Sequence, residues 1–175
     1  MKTALFLISA LTVLSFTAPA QVKKSTVEGI TNFAQVETTV ACAGAVKPGS
    51  VANIKKMGFA SIVNLRLATE QGADIDEEAA AAKTAGITFI HLPFNGGMPD
   101  PAVADKFLKI VTDPANTPAF IHCASGNRAA ALWMIKRVLV DKWDNDRALE
   151  EANALGLTSP ALKTFSLDYI QSHRK

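Results

Sequence analysis

The sequence predicts an α/β sandwich with a mainly parallel central sheet and flanking helices. Two observations carry this. Short apolar, β-branched segments alternate with longer helical ones along most of the chain, the pattern of successive strand–helix units. Glycine, proline and capping residues mark the junctions.

Taken in order, the apolar and threonine-rich stretch 30–41 reads as one or two short strands. Pro48 sits near a helix start, Val51, Ile54 and Met57 mark an apolar stripe, and Gly58 is placed to end that helix. Phe59 to Leu65 is a buried strand. Asp74 then caps a helix, with Glu77 at capping-box spacing. The alanine run Ala79 to Ala82 favours that helix, and Gly86 stops it. Ile87 to Leu92 is the next strand, followed by a loop at Asn95-Gly96-Gly97-Met98-Pro99. Asp100-Pro101 opens a helix with a cap and an N1 proline. Val103, Phe107, Ile110 and Val111 form its apolar side. After a loop at Asp113 to Pro118, Ala119 to His122 is a short strand. Ala129 to Val140 is apolar almost all round, so a buried helix is expected. Two more helices follow, near Asn145 to Leu155 and Pro160 to Ser172.

Ahead of this pattern stand Lys2, the apolar run Leu5 to Phe16, and Ala18-Pro19-Ala20. They read as a signal peptide, residues 1–20, with an A-x-A cleavage site. The apolar run is short for a membrane span. Cleavage after Ala20 leaves residues 21–175 as a single exported domain, periplasmic or secreted, with no span in the mature chain. The formal charge of +2, or +1 without Lys2, gives no electrostatic case for nucleic acid or membrane partners. Three isolated histidines and two cysteines offer no metal spacing. Cys42 and Cys123 are an even pair in an exported chain, which leaves a disulfide between them open.

The chemistry concentrates in His122-Cys123-Ala124-Ser125-Gly126-Asn127-Arg128. A strand leads into Cys123, small residues turn the chain, and Arg128 opens a helix. The amides of Ala124 to Arg128 can cradle an oxyanion, aided by the helix N-terminus. The same field favours thiolate at Cys123. Arg128 can grip two oxygens through its planar fork, and Gly126 supplies a backbone conformation closed to other residues. A cysteine nucleophile beside a tetrahedral-anion cradle suits covalent phosphoryl or sulfur transfer. The bland alternative is a buried structural cysteine.

The segment resembles the phosphate-binding loop of the cysteine-dependent protein tyrosine and dual-specificity phosphatases. More closely, the chain resembles a bacterial family of phosphatase-like domains related to them. The likeness rests on Ile62-Val63-Asn64-Leu65-Arg66, on His91 to Asp100, and on His122 to Arg128 followed by Ala129-Ala130-Ala131-Leu132-Trp133. It runs from about Gly29 to Ile170. It implies a protein tyrosine phosphatase-like three-layer sandwich and no cofactor. It also implies a phosphocysteine intermediate on Cys123, with Arg128 binding the phosphate of a small-molecule or protein substrate.

Three positions depart from the phosphatase pattern. Four residues, rather than five, separate Cys123 from Arg128. Asn95 stands where the general-acid aspartate is expected; Asp100, also suited to capping, is the remaining candidate acid. Ala129 replaces the usual Ser or Thr, and Ser125 is the possible substitute. Loss of a general acid alone costs ~10²–10⁴-fold, so a slow enzyme or an altered substrate is expected.

The four-residue spacing also resembles rhodanese-like sulfurtransferases, which carry a persulfide on the cysteine, though the frame around the loop fits phosphatases better. A non-catalytic anion-binding module is the third reading. Arg66 is read either as a substrate contact or as a salt-bridge partner of Glu70 or Asp74. His122 is read as ordering the loop, His91 as a packed histidine, and Phe107, Trp133 and Met134 as core.

Overall fold

The computed structural model describes residues 22–36 and 38–174. The expected leader, residues 1–20, lies outside the described residues.

Among the described residues, six strands form one sheet: β1 (Val22–Lys24), β2 (Ala34–Val36), β3 (Val40–Ala43), β4 (Ser61–Asn64), β5 (Thr88–His91) and β6 (Ala119–His122). Their spatial order is β1-β2-β3-β6-β4-β5. The pairs β3–β6, β6–β4 and β4–β5 are parallel, whereas β1–β2 and β2–β3 are antiparallel. The stretch 30–41 thus contains one whole strand, β2, and the start of β3, which runs to Ala43. β1 has no signal in the sequence, because its two lysines lie on an exposed edge.

Among the described residues, six α-helices flank the sheet: α1 (Val51–Lys56), α2 (Ile75–Ala85), α3 (Pro101–Thr112), α4 (Asn127–Leu139), α5 (Asn145–Leu155) and α6 (Pro160–His173). Successive strand residues point to opposite faces, which divides the core in two. Cys42, Val63, Ile121 and Cys123 pack with α3, α4, α5 and α6. Ala41, Ile62 and Phe120 pack with Val51 and Ile54 of α1 and Ala82 of α2. The result is the expected three layers.

The helix α4 is the spine of the larger core. Ala129 to Leu132, Met134 and Ile135 are all fully buried, and each large apolar side chain there contributes about 1.5–3 kcal/mol. It begins at Asn127, two residues before the apolar run, because Gly126 at φ 97° ends the preceding loop. The amides of residues 127 and 128 therefore fall in the first turn, where helical N–H groups have no intrahelical acceptor.

One cap differs from expectation. Asp74 does stand at the N-cap of α2, but its carboxylate makes no cap hydrogen bond, so the capping box with Glu77 does not form. Its carbonyl instead accepts from Glu78 at 2.9 Å. The first turn is acidic, with Asp76, Glu77 and Glu78, which suits the positive end of the helix. Asp100 caps α3 as expected, accepting from the Ala102 amide at 2.9 Å.

Candidate active site

The loop between β6 and α4 lies at the carboxyl ends of the parallel strands, where α/β sheets present their sites. The Cys123 amide donates to Ala43 O at 3.2 Å, so the nucleophile sits where the ladder ends. The Ala124 carbonyl accepts from the Ala45 amide at 3.1 Å. The Ser125 carbonyl accepts from Asn32 Nδ2, also at 3.1 Å. In a trans peptide the N–H points opposite to the C=O. Pulling these two carbonyls outward therefore turns the Ser125 and Gly126 amides inward. The Gly126 amide donates to Cys123 Sγ at 3.1 Å, which stabilises negative charge on the sulfur. Among the described residues, the amides of Ala124, Ser125, Asn127 and Arg128 have no protein acceptor. They are the donors that an oxyanion cradle needs.

Arg128 is placed in three dimensions by contacts that no local motif announces. Its NH1 donates to Leu65 O at 3.1 Å, Phe94 O at 2.9 Å and Glu70 Oε1 at 2.6 Å. Its NH2 donates to Glu70 Oε2 at 2.8 Å. Glu70 thus holds the guanidinium in a two-pronged grip. Burial works against the carboxylate, but the Arg128 hydrogen bonds, the Leu67 amide and Arg66 outweigh it and hold Glu70 at about 2. Burial likewise opposes the guanidinium charge; Glu70 and the nearby Cys123 sulfur more than offset that and push Arg128 upward. The loop after β5 closes around the same side chain. A Cβ on Gly96 would stand 3.4 Å from Arg128 Cγ and Cδ, so glycine lets that loop approach.

The other residues anticipated from the sequence fall as follows. Arg66 takes the salt-bridge role: Nε meets Glu70 Oε2 at 3.3 Å, and the rest of its fork donates to the carbonyls of Gln71 and Gly72. Asn95 faces its own loop, accepting from the Gly97 amide at 2.9 Å. Asp100 is committed to the cap of α3, and Glu70 is held ionised, so neither is presented as a proton donor. Ser125 Oγ accepts from Asn127 Nδ2 at 3.3 Å. Asn127 Oδ1 accepts from the Thr158 amide and hydroxyl and the Ser159 amide, tying the loop to the start of α6. His122 is fully buried and lies beside Glu78 of α2. His91 Nε2 lies 2.8 Å from Arg66 O and is a satisfied histidine. Among the described residues, no three His, Cys, Asp or Glu side chains converge as a metal site requires. No described helix is long and apolar enough to cross a membrane.

The disulfide left open by the sequence is not formed; both cysteines are free and buried. Cys42 is in register with Ile121, two residues before Cys123. Two residues of strand rise and one interstrand spacing separate their Cα atoms by about 8 Å, past the ~7 Å limit for a bridge. Burial, and then the neighbouring Cys123, push the Cys42 thiol well above its ordinary value.

One open cleft, of about 600 Å³, borders the loop and is walled by Ser125, Asn127, Thr158, Asn32 and Lys24. A second, of about 540 Å³, lies off the loop between Ala45, Lys47, Arg66 and Gln71.

Fold and site together define a cysteine-dependent phosphatase-like α/β domain. The chain belongs to the phosphatase-like domain family of beta-lactamase hydrolase-like proteins, whose sequence profile matches residues 32–140. A beta-lactamase hydrolase-like protein of Xylella fastidiosa, strain Temecula1, is 28% identical over 123 residues. That match covers 69% of this chain and 27% of the relative, so the chain spans about a quarter of its length. Among solved structures, TpbA of P. aeruginosa superposes with a TM-score of 0.67 at 21% identity, covering 90% of this chain and 92% of its own. The core catalytic domain of the PP-IP phosphatase SIW14 from S. cerevisiae also gives 0.67 at 21%, covering 82% and 88%. TpbA has also been solved as a variant in complex with phosphotyrosine.

Proposed function

We propose that this domain is a cysteine-dependent phosphatase acting on phosphomonoesters. The observation that carries the reading is the Cys123 sulfur with the Gly126 amide on it, four unpaired amides in the same loop, and the Arg128 guanidinium beside that sulfur. The Cys123 thiolate attacks phosphorus, and the ester oxygen leaves with its electron pair. A phosphocysteine forms, and water then attacks it to release phosphate and the thiolate. The amides and Arg128 stabilise the equatorial oxygens throughout.

Among the described residues, neither candidate acid stands ready to protonate the leaving oxygen, since Asn95 is not an acid and Asp100 caps a helix. The preferred substrates are therefore esters whose leaving group departs as a stable anion, with aryl phosphates ahead of alkyl ones. The phosphotyrosine complex of TpbA is consistent with that class.

The test compares phosphomonoester hydrolysis with thiosulfate-to-cyanide sulfur transfer, using Cys123→Ser as control. Hydrolysis that Cys123→Ser abolishes is expected. Sulfur transfer without hydrolysis replaces the proposal with the sulfurtransferase reading, and hydrolysis that survives Cys123→Ser rejects both.

The leader-like segment supports export. Mature protein recovered outside the cytoplasm of a bacterial host is expected to begin at Gln21; an intact N-terminus in the cytoplasm overturns this.

A further inference from the structure

Behind the loop, on the sheet face away from α4, lies a buried polar cluster that the proposed reaction does not use. Asn64 and His122 are side by side at the ends of β4 and β6, and Glu78 of α2 lies over both. All three are almost wholly buried: Asn64 and His122 at 0% and Glu78 at 3% exposure. Asn64 Nδ2 donates to Glu78 Oε2 at 2.8 Å, while Asn64 Oδ1 accepts from the Arg66 amide at 2.8 Å. Glu78 Oε1 is 2.9 Å from His122 Nε2. That approach is close but not aligned for a hydrogen bond, which leaves Glu78 Oε1 and both ring nitrogens buried without a partner.

Burying a carboxylate costs several kcal/mol before any partner repays it, and an apolar side chain usually serves packing as well or better. The neighbouring inward position of α2 is Ala82. The partners of Glu78 are both at the strand ends that launch the site. His122 directly precedes the nucleophile. The Arg66 backbone, steadied by Asn64, opens the loop whose Glu70 grips Arg128. One carboxylate therefore joins the two halves of the site.

We propose that Glu78 is a positioning residue for the nucleophile, acting through His122 and Asn64. Through them it fixes the root of the loop, and with it the Gly126 amide that donates to Cys123 Sγ. The other titratable or charged groups facing that sulfur are Arg128 from α4, itself held by Glu70, and Cys42 from β3. The inference builds on the phosphatase reading, but one of its tests does not depend on it.

Glu78→Gln removes the charge at constant size, and Glu78→Leu replaces the group with an apolar one. The thiolate absorbance of Cys123 near 240 nm, taken as the difference from a Cys123→Ser protein, is expected to fall at least threefold at pH 7 in both variants. On aryl phosphate, kcat falls about tenfold with KM within twofold. Thermal melts separate this from unfolding, because Glu78→Leu is expected to melt within a few degrees of the parent. Unchanged thiolate absorbance in a folded variant overturns the proposal, whether or not the parent hydrolyses phosphate. Lost absorbance with no hydrolysis by the parent keeps Glu78 in its role and removes only the phosphatase reading.

Discussion

Replacing Glu70 by glutamine removes the grip on Arg128 and leaves an amide NH2 facing guanidinium donors. The carboxylate is displaced from its ordinary 4.5 to about 2. At about 1.36 kcal/mol per pH unit, that bounds its stabilisation at ~3.4 kcal/mol. Glu70 keeps 22% of its side chain exposed, and solvent screening reduces the figure to about 1–2 kcal/mol. For a domain of this size that corresponds to about 2–8 °C in Tm. The sign of the pH dependence follows from the depressed value. The contribution is complete above about pH 4.5 and is lost as pH falls towards 2. Thermal unfolding followed by circular dichroism, with parent and Glu70→Gln compared from pH 7 to pH 3, checks this. The gap between them is expected to shrink by more than half at pH 3. A gap that is absent at pH 7, or equal at both pH values, refutes the reasoning. With the fork loosened, kcat/KM is expected to drop about tenfold.

Other outcomes follow from the same geometry. Asp100→Ala should cost about 0.5–2 kcal/mol through loss of the α3 cap, with kcat within twofold; a ~100-fold loss of kcat restores Asp100 as the acid. Across a series of phosphate esters, alkyl substrates should react ~10²–10⁴-fold more slowly than aryl ones, and equal rates would reveal a proton donor. Asn127→Ala deprives Thr158 and Ser159 of a shared acceptor, and chemical denaturation should register about 1–2 kcal/mol. Gly126→Ala forces a side chain into φ +97° and should lower both stability, by about 1–2 kcal/mol, and hydrolysis; parent-like values for both would contradict the loop geometry.

Local signals carried the frame of this molecule. The apolar runs around Val63 and Ile121, the stop at Gly86 and the cap at Asp100 each depend on near neighbours in the chain, so periodicity and capping chemistry exposed them. The same holds for the site's centre. A strand, a cysteine, a glycine and a helix-opening arginine occur within seven residues, and their juxtaposition is local. What encloses that centre is not. Glu70 lies 58 residues from Arg128 and reads locally as a partner of Arg66, a role it also fills. Glu78 had one visible trace, an acid on the alanine-lined inward face of α2 that shares a side with Ala82. Its partners His122 and Asn64 were unknowable until β4 and β6 were placed side by side.

The sequence by itself determined the elements, their alternation and the reactive loop, because hydrophobic periodicity and capping act over a few residues. Only the tertiary structure decided that Arg128 is gripped by Glu70 and that Cys42 stands too far along its strand to bridge Cys123. Those outcomes depend on strand order and register, which arise from packing two cores on one sheet.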